Sequence, residues 1–294
     1  MSAAVPRRWL LTLAALSALA TLSTNILLPS LPAIARDLQA GDGGVTAVLS
    51  LFLAVFAVAQ LIVGPLSDQL GRRPVVLGGL TAFFIGTLLC AFAPDLRTLL
   101  AGRAMQAVGV AAASVLARAA ARDRFEGPQL AALLGSIMVV MAAAPGFSPL
   151  LGGLVQQAWG WRAVFWVLAA VTLAMGLAYA HIVGETLPAA RRRRRPVSEL
   201  LRGYAALSGD ARFMRPALAV AAVMGGLFAF FASAPVVLGS GLGLSALQVG
   251  LFFAATVLVV FAAGRLAPRR AGRSATARRR CCCAACCWPG WAAC

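Results

Sequence analysis

The side chains that could take part in chemistry are few in this sequence, and the densest group lies in a short gap between two long apolar runs. The gap has the sequence GPLSDQLGRRP, residues 64–74. Its glycines permit a sharp turn, and its carboxylate can pair with the arginines or accept hydrogen bonds from the free N–H groups of a helix start. We interpret it as a conformational-switch loop; the alternative is a turn that only sets topology. The candidate switch residues are Gly64, Asp68, Gly71, Arg72 and Arg73.

A second candidate group lies inside the apolar runs. Arg103 belongs to the fourth run. Because an arginine at mid-membrane costs at least about 3 kcal/mol on insertion scales, we expect it to face the interior of a helix bundle. The alternative is that it extends to the outer interface of the membrane. Gln106 lies on the same helix face, and Asn25 is the polar residue of the first run. We assign these three residues to a central polar network, with an ordinary interhelical contact as the alternative for Gln106; a role in coupling is what the family resemblance given below implies.

The composition indicates a membrane protein. Of the 294 residues, 61% are hydrophobic and 12% are charged, whereas a soluble domain is about half apolar and a quarter charged. The net charge of +17 comes from arginines that cluster in the gaps between apolar runs, a distribution that argues against nucleic-acid binding. The runs contain no Ser–His or paired-aspartate arrangement and no phosphate-binding loop, so we predict no enzyme, no cofactor and no metal site.

Eight apolar runs reach the length of about 20 residues that a membrane-spanning helix needs. They cover residues 9–29, 45–63, 75–93, 98–117, 130–155, 161–183, 214–238 and 246–267. The predicted fold class is therefore an all-α polytopic membrane protein. Alternate gaps hold most of the arginines, while the others hold only Arg36, Arg97 and Arg162, so we expect the N-terminus and residues 64–74 to lie in the cytoplasm.

The gaps divide the chain into parts. We predict a six-helix N-terminal half over residues 1–183, a basic cytoplasmic linker over 184–213 and a partial second half of two helices over 214–267. The tail, 268–294, holds six of the seven cysteines, without the spacing of metal ligands. Leucine codons of the CTG type encode cysteine when read one base out of frame. We therefore hypothesise a frameshift near residues 270–280 that removes four helices.

Several segments resemble motifs of the major facilitator superfamily. GPLSDQLGRRP resembles its loop motif between helices 2 and 3, and STNILLPSLPAIA (23–35) resembles the first helix of its drug-resistance branch of the Bcr/CflA type, which exports bicyclomycin and chloramphenicol. The remaining matches are RAMQAVGVAAA (103–113) in helix 4, APGFSPLLGG (144–153) in the antiporter motif of helix 5, and GWRAVFWVLA (160–169) with ETLP (185–188) at the two ends of helix 6.

The resemblance implies a proton-coupled exporter of the bacterial cytoplasmic membrane, which moves drugs or other small amphipathic molecules by rocking two six-helix halves. Its partners are then a drug-like substrate, the proton gradient and the lipid bilayer. The motif of helix 5 assigns an antiporter role to Pro145, Pro149, Gly152 and Gly153. Phe228 and Phe231 of the seventh run are candidates for lining a substrate cavity, and the alternative is that they face the lipid.

The sequence departs from the family pattern at three positions. Asn25 stands where related exporters often have an aspartate, Leu27 where they have a tyrosine, and Ser148 where the general motif has glycine. Asparagine cannot carry a proton, so coupling through helix 1 is in doubt. Two other functions stay open at this point: an inactive remnant or a fragment that needs a partner chain, and an importer of nutrients. The sequence identifies neither the substrate nor the oligomeric state.

Overall fold

The computed structural model describes residues 5–192 and 197–238, and after them residues 242–244, 248, 251, 252 and 255. The predicted eighth run and the cysteine-rich tail therefore lie almost entirely outside the described residues. At some positions inside these ranges, Phe228 and Phe231 among them, the side chain is outside the description as well. The described secondary structure is helical, and none of the described residues belongs to a strand.

Nine α-helices follow one another along the described chain. They are α1 (Arg7–Asn25), α2 (Leu31–Asp37), α3 (Asp42–Leu70), α4 (Arg72–Ala91), α5 (Leu96–Arg124), α6 (Gly127–Trp159), α7 (Trp161–Ala178), α8 (Val197–Gly209) and α9 (Ala211–Val236). Three short turns of other helical types connect them: Leu28–Ser30, Tyr179–Val183 and Ala189–Arg191.

Six helical segments are long and apolar enough to cross a membrane, which confirms the first six predicted runs. They are Arg7–Asp37, Thr46–Leu70, Arg72–Ala91, Leu96–Arg124, Gly127–Trp159 and Trp161–Val183. The first segment extends beyond the predicted end, because the helix re-forms as α2 after a short turn that contains Pro29. Proline lacks the N–H that would continue the hydrogen-bond ladder but fits the first turn of a helix. The predicted seventh run corresponds to α9.

Glycine allows α4 and α5 to pack with their backbones in contact. A Cβ atom built on Gly86 would lie 2.7 Å from the carbonyl oxygen of Gly102, and one on Gly79 would lie 2.8 Å from that of Gly109. No side chain fits in these gaps, so the small residues set the distance between the two helices. The connection between them is short: Asp95 caps α5 by accepting a hydrogen bond from the Thr98 N–H at 2.7 Å. That bond lowers the pKa of Asp95.

The stretch predicted as a linker contains one helix that the apolar runs do not reveal. Helix α8 is amphipathic, with Leu200, Leu201, Tyr204 and Leu207 recurring at three- and four-residue spacing. The Tyr204 hydroxyl donates a 2.7 Å hydrogen bond to the carbonyl oxygen of Leu61 in α3. This carbonyl lies four residues before Pro65, which has no N–H to offer it. The proline thus leaves an acceptor in α3 that α8 uses as a docking point.

The Tyr204 bond should govern how firmly α8 is held. Tyr204→Phe removes a bond of about 1 kcal/mol, so backbone amides of α8 should exchange hydrogen about fivefold faster. Pro65→Ala supplies an N–H that can bond the Leu61 carbonyl oxygen, so in this background Tyr204→Phe should raise the exchange rate of α8 by less. Ser208→Ala is the matched control, because the Ser208 hydroxyl bonds only within α8, to Ala205. Equal exchange in Tyr204→Phe and the parent protein would refute this docking role.

Candidate functional site: the switch loop and a buried arginine

Arg72 is the centre of an ionic cluster at one end of the helix bundle. Its side chain is 10% exposed, and its Nη1 lies 2.7 Å from Asp68 Oδ1. Its Nε donates to Asp123 Oδ2 at 3.0 Å, and Nη1 also donates to the Ser67 hydroxyl. Arg72 therefore connects the start of α4 to the ends of α3 and α5. The pairing with Asp68 is the one that the local spacing suggests.

Glu185, which follows α7, closes the cluster from the other side. Its Oε1 accepts a hydrogen bond from the Arg72 N–H at 2.9 Å, and its Oε2 accepts one from the Arg73 N–H at 3.3 Å. These N–H groups are free at the start of α4, where the helix dipole favours a negative charge. A carboxylate thus does bond a neighbouring helix start here, but it is Glu185 that does so, while Asp68 pairs with Arg72.

The residues next to Glu185 complete the same network. Arg192 Nη2 lies 3.3 Å from Glu185 Oε2, and the Thr186 hydroxyl donates to Asp123 Oδ2 at 3.1 Å. Gly71 has a φ of +104°, and a Cβ atom there would collide with the Glu185 carboxylate. Glycine at this position therefore provides both the turn and the space that the carboxylate occupies.

The other two candidate residues of the switch loop contribute less. The exposed side chain of Arg73 donates only one long bond, 3.5 Å, to the Ala180 carbonyl oxygen. A Cβ atom on Gly64 would have no neighbour within 4 Å beyond the adjoining residues and backbone of its own helix. In the described part of the chain, the switch contacts are thus concentrated on Arg72 and Glu185.

Arg103 lies inside the bundle and does not extend to the membrane interface. Its side chain is 0% exposed. Nη1 donates to the Ser23 carbonyl oxygen in α1 at 3.3 Å and to Gln106 Oε1 at 2.9 Å. The guanidinium lies over the Phe52 ring of α3, with 4.0 Å between Cζ and the ring centroid. Arg103 therefore links its own helix, α5, to α1 and α3.

Gln106 extends this network, and Asn25 does not join it directly. Gln106 Nε2 donates to the Thr87 hydroxyl in α4 at 2.7 Å. Asn25 is buried, but its Nδ2 donates to the Thr21 carbonyl oxygen of its own helix at 2.8 Å. Of the three residues predicted for the central polar network, Arg103 and Gln106 bond each other, whereas Asn25 lies two residues after Ser23, the α1 partner of Arg103.

The motif of helix 5 forms a close contact between α6 and the end of α1. Pro145 and Pro149 lie inside α6, where each leaves a backbone carbonyl without its usual N–H partner. Gly152 is buried, and a Cβ atom there would overlap the carbonyl oxygen of Ile26. Gly153 is buried beside it. The motif residues therefore set the approach of two helix backbones. The predicted cavity residues Phe228 and Phe231 lie outside the described side chains.

A second ionic cluster lies at the opposite end of α4 and α7, and two of its members, Trp161 and Arg162, belong to the segment GWRAVFWVLA. Arg162 Nη1 lies 2.6 Å from Asp37 Oδ2, and the Trp161 indole donates to the same oxygen at 3.0 Å. Arg162 Nη2 donates to the Ala93 carbonyl oxygen at 3.1 Å. The partners lie up to 125 residues apart in sequence. The cluster borders an open depression of about 530 Å³ and joins the ends of three membrane segments.

Comparisons with known proteins agree with the family motifs. The model of the Major Facilitator Superfamily matches residues 13–293. Multidrug resistance protein D of Escherichia coli (strain K12) is 33% identical over 267 residues, which are 91% of this chain and 67% of that protein. A chloramphenicol resistance protein of Pseudomonas aeruginosa is 33% identical over 256 residues, 85% of this chain and 60% of that protein. The chain thus spans about two thirds of the length of the curated relatives it matches.

A solved structure shows the same fold at low sequence identity. The crystal structure of the human organic anion transporter MFSD10 (TETRAN) superposes with a TM-score of 0.62 and 19% identity. The match covers 86% of this chain and 70% of that one. The described helices therefore share their fold with a solved structure of a membrane transporter.

Proposed function

The chain belongs to the major facilitator superfamily, whose members are transporters and not enzymes, and on this premise we propose that it exports drugs or other small amphipathic molecules. The similarity to proteins named for multidrug and chloramphenicol resistance supports this substrate class. The partial antiporter motif of α6 favours export over the import of nutrients.

The observation that carries the proposed mechanism is the cluster around Arg72. Alternating access requires contacts that hold one state and can be exchanged in another. The ion pairs and the Glu185 bonds to the start of α4 link α3, α4, α5 and the segment after α7 at one end of the bundle. They are polar and partly exposed, so water can replace them when the bundle rearranges. We assign the role of conformational switch to this cluster.

The direction of transport and its energy source complete the proposal. We place the Arg72 end of the bundle and the N-terminus in the cytoplasm, and the protein in the inner membrane of a bacterium, because arginines concentrate at that end. Efflux would be driven by the proton gradient. Asn25 does not titrate, so the group that carries the proton is not at position 25. Two further hypotheses come from the sequence alone. One divides the chain into residues 1–183, 184–213 and 214–267, and the other is the frameshift in the tail.

Drug accumulation in energised cells tests the proposal. Bacteria that lack their main drug pumps and express this chain should accumulate several-fold less chloramphenicol than cells with an empty vector. A protonophore should remove the difference if the gradient drives efflux. Detection of the protein in the membrane fraction is the control. Equal accumulation despite such detection would contradict export by this chain, and greater accumulation in expressing cells would favour an importer.

A further inference from the structure

The Arg103 guanidinium has two donors that the described residues leave unused. Both bonds to Ser23 and Gln106 come from Nη1. Nε and Nη2 are buried and have no hydrogen-bond partner. A buried charge without a compensating partner is strongly destabilising, so a group that satisfies these two nitrogens would be strongly favoured.

The two unused donors form one edge of the planar group. The N–H of Nε and one N–H of Nη2 point in the same direction, and this edge binds the two oxygens of a carboxylate or phosphate in a side-on, bidentate manner. Phe52 contacts the face of the guanidinium, and the Nη1 bonds fix its rotation. The free edge is therefore held in a defined orientation before any ligand arrives.

The acidic side chains with described ion pairs are engaged elsewhere. Asp68 and Asp123 pair with Arg72, Asp37 with Arg162, and Glu185 with Arg192. The remaining acids of the sequence lie in the gaps or at the ends of apolar runs. Within the described residues, no carboxylate contacts Arg103. A negatively charged partner for this edge is thus most simply supplied by a ligand.

We propose that Arg103 is an anion subsite of the transport pathway, which binds an oxyanion group of an amphipathic organic substrate side-on through Nε and Nη2. The inference rests on the proposed transport function, because a ligand reaches this buried site only when the bundle opens. Gln106 and Phe52 orient the arginine. Organic anions are then substrates in addition to neutral drugs.

Binding to the purified full chain in lipid nanodiscs, measured by calorimetry, tests the subsite. Benzoate is the probe, benzamide is its neutral analogue of similar shape, and inorganic phosphate represents an oxyanion without an organic part. The parent protein should bind benzoate at least about tenfold more tightly than benzamide or phosphate. Arg103→Lys keeps the charge but lacks the two-donor edge, and should lose at least about tenfold in benzoate affinity. The exposed Arg97 of the same helix provides the matched control Arg97→Lys, which should bind benzoate normally.

Three results would overturn the inference: benzamide binding as well as benzoate, benzoate binding unchanged in Arg103→Lys, or phosphate binding as well as benzoate. Circular dichroism and size-exclusion chromatography check that each variant is folded. Equal binding of benzoate and benzamide to the parent protein refutes the subsite even if the variant fails to fold. If the parent protein exports chloramphenicol but binds benzoate no better than benzamide, only the anion subsite is refuted. If it binds benzoate selectively but exports no chloramphenicol, the transport proposal is refuted.

Discussion

Replacing Gly152 by valine is expected to destabilise the protein by about 3 kcal/mol or more and to abolish transport. Overpacking of a well-filled core typically costs 1–3 kcal/mol, and more where the neighbouring atoms cannot move. Here the obstacle is the backbone carbonyl of Ile26, and even a single Cβ atom would overlap it. The substitution must therefore push α6 away from the end of α1, which carries the neighbouring Asn25.

Gly135 provides the matched control for this substitution. It lies in the same helix, and a Cβ atom there would have no neighbour within 4 Å beyond the adjoining residues and backbone of that helix. Gly135→Val has the same intrinsic effect on the helix without the collision. Thermal unfolding in detergent, monitored by size-exclusion chromatography, should show a large decrease in the unfolding midpoint for Gly152→Val and little change for Gly135→Val. Similar midpoints for the two variants would show that the α1–α6 contact does not require glycine.

Replacing Arg72 by glutamine should have the second large effect, on both stability and efflux. Removing one partner of a fully buried ion pair costs 3–5 kcal/mol. The side chains of Arg72 and Asp123 are 10% and 18% exposed, so we expect a lower value of about 2–3 kcal/mol. Asp68 is 52% exposed and its pair contributes little. Without Arg72, Asp123 keeps its bond to Thr186 among the described contacts, and the ion pair that joins α4 to the end of α5 is lost.

Arg73→Gln separates the loss of this network from the loss of a charge. Both variants remove one positive charge from the loop, but the exposed Arg73 side chain makes only a long bond to Ala180. Chloramphenicol accumulation should rise to the level of the empty vector for Arg72→Gln and change little for Arg73→Gln. A double-mutant cycle with Asp123→Asn measures the pair itself. Additive effects on the unfolding midpoint would show that Arg72 and Asp123 act independently.

The sequence predicts the fold well because the bilayer imposes a simple rule on composition. A run of about 20 apolar residues is readable in isolation, and six such runs correspond to membrane-length helices. Helix α8 escapes the rule because its apolar residues form a stripe and not a run. The sequence also fails to predict that the first segment continues through α2. Pro29 and Pro32 favour the end of a helix, and only the structure shows that the helix resumes as α2.

The candidate site is predictable where its contacts are local and unpredictable where they are distant. Arg72 pairs with Asp68 and Arg103 bonds Gln106 at four- and three-residue spacing, which helical periodicity makes visible. Glu185 bonds the Arg72 N–H across 113 positions, and Asp37 bonds the Trp161 indole across 124. Such pairs arise from the packing of whole helices. The only sequence signal for Glu185 is its place in the ETLP segment after the sixth run.

The glycine contacts between α4 and α5 have a mechanical consequence. The two contacts lie seven residues, or about two turns and 10 Å, apart along each helix. If one helix slid along the other, a bulkier side chain would lie opposite a backbone carbonyl. The two helices are therefore held at one position along their common axis. The two helices therefore act as one rigid lever. A tilt that starts where Arg72 is released must appear at the far end, beside Asp95, in the opposite direction.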